Sequence, residues 1–133
     1  MNYRMIGFVI GRILWTEAAL LLLPALTALD DETLAAVYGI DSADLADYVC
    51  QFPLMNVQAT EFFIARVNSG RMDAVQAAVE RRQQDLEEQW SSYLPEQLEL
   101  VQSYKLIVNG DYIFFAVSYD ADAAAEIFNR YTK

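Results

Sequence analysis

Glu61 opens the apolar run Glu61-Phe62-Phe63-Ile64-Ala65-Arg66-Val67, and Arg66, Arg81 and Arg82 are candidate counter-ions for it. A carboxylate at the head of a strand that enters a core needs a partner that offsets its lost hydration. Two roles fit Glu61 with Arg81 or Arg82: a ligand site, or a salt bridge tying a helix to the sheet. A carboxylate hydrolase would also need a second acid of perturbed pKa close by. No spacing in the sequence selects that second acid.

Histidine is absent from the 133 residues. That removes Ser-His and Cys-His nucleophiles and every imidazole metal ligand. Cys50 is the single cysteine, so no disulfide forms within the chain, and its place between Val49 and Phe52 suits a small buried hydrophobe. Asp85, Glu87 and Glu88 offer oxygens to a hard cation, but no turn glycine or calcium-loop spacing accompanies them, and a solvated helix face explains them. Trp90, Tyr93, Tyr104, Tyr112, Tyr119 and Tyr131 are either core and sheet-edge aromatics or the lining of a groove for a sugar or peptide. No cofactor, metal or catalytic residue is implied.

Charge narrows the partners. Of 19 acidic residues only Glu17 precedes Asp30, and of 9 basic residues only Arg4 and Arg12 do, so residues 30–133 carry 18 acids against 7 bases, a net charge of −11. Nucleic acid needs clustered Lys and Arg and is not an expected partner.

The elements that must position Glu61 follow from periodicity. Acidic residues start a short helix over Asp31 to Tyr38, with Leu34, Val37 and Tyr38 on one face and Gly39 as its stop. Asp41 to Asp47 is a polar connection or a short helical turn. Strands are predicted over Tyr48 to Phe52, ended by Pro53, and over Thr60 to Val67. Met72 to Ser92 is the clearest helix: Met72, Val75, Val79, Leu86 and Trp90 recur at helical spacing, and Tyr93-Leu94-Pro95 breaks it. Ser103 to Val108 and Asp111 to Val117 flank Asn109-Gly110, which favours a type I′ hairpin. Asp120 caps a last helix with Ala124, Ile127, Phe128 and Tyr131 toward the core. The expected fold is α+β, a small antiparallel sheet of about four strands with helices packed on one face.

Residues 1–29 form a separate unit in this reading. From Met5 to Leu29 the chain is apolar apart from Arg12 and Glu17, about 25 residues, long enough as a helix to cross a bilayer. It is read as a membrane anchor through residues 5–29, with a cleaved signal peptide or a helix packed on the domain as alternatives. Arg4 and Arg12 lie on the N-terminal side of the apolar run, and Asp30, Asp31 and Glu32 follow it. The positive-inside rule then places the N-terminus in the cytoplasm and residues 30–133, a single acidic domain, outside. Cleavage would make that domain a secreted one.

Two resemblances add to this. Met1-Asn2-Tyr3-Arg4-Met5-Ile6, Gly11-Arg12-Ile13-Leu14 and Glu17-Ala18-Ala19-Leu20-Leu21-Leu22-Leu23-Pro24 resemble the first helix of Trk-type potassium-uptake membrane subunits. That likeness implies a membrane helix, and at most an accessory partner of a potassium transporter. Pro53-Leu54-Met55-Asn56-Val57-Gln58-Ala59-Thr60-Glu61, Arg81-Arg82, Tyr93-Leu94-Pro95-Glu96-Gln97 and Asn109-Gly110-Asp111-Tyr112 resemble domain-of-unknown-function family 4358 over residues 33–130. The resemblance implies a bacterial extracytoplasmic protein, commonly a lipoprotein, and carries no activity with it. The lipid-attachment cysteine is missing here, which leaves the apolar segment as the anchor. The leading expectation is a membrane-tethered, extracytoplasmic, non-catalytic binding or accessory domain.

Overall fold

The computed structural model describes residues 26–28, 30–53, 59–119 and 121–132. Strand β1 (Leu26–Ala28) leads to helix α1 (Asp31–Tyr38), a 3-10 turn at Ser42–Asp44, and β2 (Leu45–Pro53). Then come β3 (Glu61–Val67), α2 (Met72–Trp90), α3 (Pro95–Gln102), β4 (Lys105–Asn109), β5 (Tyr112–Val117) and α4 (Ala121–Thr132). The sheet is antiparallel throughout, in the order β1-β2-β3-β5-β4. Four longer strands carry it, and the three-residue β1 extends one edge. The expected α+β class and antiparallel sheet are what the chain forms.

The expectation that helices cover one face is corrected. Side chains alternate across a strand, so β3 and β5 present two apolar faces. Phe63, Ala65, Ile113, Phe115 and Val117 join a core with Leu34 and Tyr38 of α1, Val79 and Leu86 of α2, and Val101 of α3. Phe62, Ile64, Phe114 and Ala116 point the other way and are covered by Ala121, Ala124, Ala125 and Phe128 of α4. Each large side chain fully buried there is worth about 1.5–3 kcal/mol, so the second face could not stay bare. Phe114 stacks on Phe128 with ring centroids 5.1 Å apart.

The helix expected over residues 1–29 lies outside the described residues up to residue 25. Its last part is corrected: Leu26–Ala28 pair with β2, Leu26 opposite Pro53 and Ala28 opposite Gln51. Among the described residues no helix is long and apolar enough to cross a membrane.

Local chemistry explains the boundaries. Asp30 caps α1 by accepting from the Thr33 N–H at 2.8 Å, and Gly39 ends the helix in the left-handed region at φ 70°. Helix α3 is not expected from the sequence, in which Tyr93-Leu94-Pro95 reads as the break after α2. Pro95 is instead the first residue of a new helix, where its missing N–H costs nothing. The hairpin also differs by one residue. Asn109 pairs with Tyr112, so the loop is Gly110-Asp111, and only Gly110 has positive φ, at 60°. Glycine at the first loop position is what a type II′ turn asks for, in place of the expected type I′.

Candidate functional site

Glu61 begins β3 on the face that α1 and α2 cover, and it is 1% exposed. Arg82 of α2 reaches it with two parallel hydrogen bonds, Nε to Oε2 at 2.9 Å and Nη2 to Oε1 at 2.8 Å. The Tyr38 hydroxyl, at the end of α1, donates to Oε2 as well. The same phenol ring lies 5.5 Å from the Arg82 guanidinium carbon, in range of a cation–π contact. Three elements thus converge on one carboxylate, and both of its oxygens are engaged. Helical spacing makes this possible. Val75, Val79 and Leu86 set the buried stripe of α2, and Arg82, three residues after Val79 and four before Leu86, lies on that stripe.

Electrostatics follow burial. Burial, then the nearby Cys50 and Glu61, pushes the Tyr38 phenol well above its ordinary value. Burial and then the Glu61 charge push the Cys50 thiol up, so it stays protonated. Burial pulls Arg82 down, but its hydrogen bonds and charge pairing with Glu61 outweigh that and leave it above the ordinary guanidinium value. The cluster holds one fixed ion pair and two protons that are hard to remove.

Arg81 does not join Glu61. Its Nη2 lies 3.5 Å from the Tyr38 carbonyl oxygen at the end of α1, beside Gly39. A Cβ at Gly39 would stand 2.3 Å from that nitrogen. A cation there meets the negative end of the α1 dipole. Arg66 lies further along β3, opposite Asp47 and Tyr112 in the register. Glu87 accepts from Gln83 at 3.2 Å, and among the described residues no acidic or cysteine cluster could hold a metal ion.

The tyrosines divide. Tyr104 packs in the core against Phe115, with centroids 6.0 Å apart. Tyr93 stacks on the buried Trp90 at 5.5 Å yet is 48% exposed, and Tyr119 is 62% exposed. A groove of about 420 Å³ is lined by Glu96, Glu99 and Leu100 of α3, by Lys105, and by Tyr119 and Asp122. Lys105 is bridged to Asp122 at 2.8 Å. The side chain of Tyr131 and the expected Asp120 cap lie outside the described residues.

Two participants escape sequence reasoning. Tyr38 reads as one more apolar position of α1, since nothing in its spacing reveals a hydroxyl aimed at Glu61. Gln97 is buried, accepting from the Ala59 N–H at 2.8 Å and donating to the Tyr119 hydroxyl at 3.5 Å. A glutamine two residues after Pro95 signals a buried amide only once α3 is recognised.

A two-faced antiparallel sheet with a buried ion pair between strand and helix defines a small α+β domain. The chain belongs to the family described as Domain of unknown function (DUF4358), whose model matches residues 21–118. No curated protein and no solved structure matches the chain.

Proposed function

We propose that this protein is a membrane-tethered, extracytoplasmic, non-catalytic binding or accessory domain. The observation that carries the non-catalytic part is Glu61. The carboxylate best placed by sequence for acid–base work is shut from solvent, and Arg82 and Tyr38 occupy both of its oxygens. General acid–base catalysis requires a group within hydrogen-bond reach of substrate, and Glu61, 1% exposed and already accepting three hydrogen bonds, is out of that reach. The pair is therefore read as a structural tie between α2 and β3.

The tether is supported by the apolar run before β1. Strand pairing begins at Leu26, which leaves Met5 to Ala25, 21 residues, for a membrane crossing. As a helix that length spans about 30 Å, a hydrocarbon core. Arg4 before that run, Arg12 in its first half and Asp30 to Glu32 after it favour an outward-facing domain. Protease added to intact spheroplasts is expected to digest the domain. Protection until lysis would overturn the orientation.

A further inference from the structure

We infer that the end of the domain bearing Tyr93, Leu94 and Tyr119 rests on a neutral, zwitterionic lipid surface. This inference rests on the tethered reading above. The strand register places Leu26, Pro53, Glu61, Val117 and Lys105 at one end of the sheet. Leu26 is where the apolar run enters the fold, and no polar linker separates Ala25 from the first paired residue. A crossing segment joined so directly holds this end of the sheet within a few residues of the bilayer.

Exposed apolar surface gathers at the same end. Gln97 binds the Ala59 N–H just before β3 and the Tyr119 hydroxyl just after β5, which fixes the start of α3 there. Leu94, 38% exposed, precedes Pro95 and accepts the backbone N–H of Gln97 at 2.9 Å. Tyr93 and Tyr119 are 48% and 62% exposed. The opposite end is formed by the polar turns Asn68-Ser69-Gly70 and Gly110-Asp111, with Val108 beside the latter as its exposed large hydrophobic.

The residue types suit an interface. Tyrosine rings are enriched at membrane–water interfaces, and Tyr119, whose hydroxyl accepts from Gln97, offers its ring to one. Leu94 is held at φ 48°, the only non-glycine residue at positive φ among those described, and such a backbone costs about 1 kcal/mol or more. That backbone turns the chain from α2 into α3 and leaves Leu94 38% exposed. Glu96, Glu99 and Asp122 line the groove beside Tyr119, with Lys105 bridged to Asp122, and this net acidic rim would be repelled by anionic headgroups, which selects a neutral surface.

The test uses the full chain carrying Cys50→Ala, with Tyr93→Cys, Tyr119→Cys or Val108→Cys added singly and labelled with an environment-sensitive fluorophore. Each chain is reconstituted in phosphatidylcholine vesicles with or without brominated acyl chains, and flotation reads the tether independently. Labels at 93 and 119 are expected to shift to the blue and lose emission to the brominated lipid, and the label at 108 to do neither. Chains that float but show no quenching at 93 and 119, or equal quenching at all three positions, overturn the docking and leave the tether standing. Chains that fail to float overturn the tether, and the docking falls with it.

Discussion

The Arg82 guanidinium grips the Glu61 carboxylate with two nearly equal bonds, 2.9 and 2.8 Å, across the junction of the long helix and the central strand. Arg82 has 14% of its side-chain surface exposed and Glu61 2%. A pair this deep has costs and gains that nearly cancel, while a broken half leaves an uncompensated charge in the core.

Glu61→Gln is accordingly expected to cost about 3–5 kcal/mol, and Arg82→Met a similar amount. The double variant should be far less damaged than the sum of the two, because the residues act as one unit. Urea melts of the four proteins measure this. Additive losses would mean that the residues are not coupled, and a stabilised Glu61→Gln would return Glu61 to the list of ligand-binding groups.

Alkaline pH should weaken the fold. In the unfolded chain the Cys50 thiol ionises near 9 and the Tyr38 phenol near 10, whereas burial raises both in the folded protein. Groups with raised folded values contribute stability that is intact below their unfolded values and is lost as pH rises beyond them. The expected slope is about 1.4 kcal/mol per pH unit for each group. Denaturation midpoints should fall from about pH 9 upward, more steeply past about pH 10. Cys50→Ala should flatten the first part and Tyr38→Phe some of the second, where Tyr48 and Tyr112, also raised by burial, titrate as well.

Phe128 tests the second face of the sheet. Phe128→Ala removes a fully buried ring stacked on Phe114 and should cost about 3–5 kcal/mol. A loss below about 1 kcal/mol, the range of surface changes, would show that α4 is not needed to cover β3 and β5.

Gly110→Val places a β-branched side chain at φ 60°. No atom lies within 4 Å of the site, so crowding is not the issue and the backbone alone resists. A destabilisation on the order of 1–3 kcal/mol is expected from thermal melts. An unchanged melting temperature would place the turn elsewhere.

Gln97→Leu keeps the volume of the buried side chain and deletes its amide. The Ala59 N–H then loses its acceptor, at a cost of about 1–3 kcal/mol. Gln97→Glu retains an acceptor and should lose less, a difference that equilibrium unfolding resolves.

Sequence patterns made α1, α2, β3 and the β4–β5 hairpin legible because each rests on local periodicity or on a turn glycine. Helix α3 is not legible, since Pro95 is ambiguous between an end and a beginning, and only the residues before it, turned by Leu94 into the left-handed region, decide. The two-sided burial of β3 was written in Phe62-Phe63-Ile64, a continuous apolar run, yet which helix covers which face depends on long-range packing. The site was half legible. Glu61 stood out as a charge in an apolar strand, but the choice of Arg82 over Arg81 turns on about 100° of rotation along α2, which only the docked helix fixes. Tyr38 could not be seen, because one hydroxyl does not alter a hydrophobic pattern.

The pairing of β3 with β5 has a bearing on how the chain reaches this state. Glu61 faces Val117 and Arg66 faces Tyr112, although two helices and β4 separate the strands in sequence. The β4–β5 hairpin closes locally within microseconds, while joining it to β3 must first overcome the entropy of that long intervening loop. Until it does, Phe62 and Ile64 on one strand and Phe114 on the other are open to water and to neighbouring chains. Refolding limited by this single docking event, and aggregation that competes with it at raised protein concentration, are the kinetic signature that such a topology imposes.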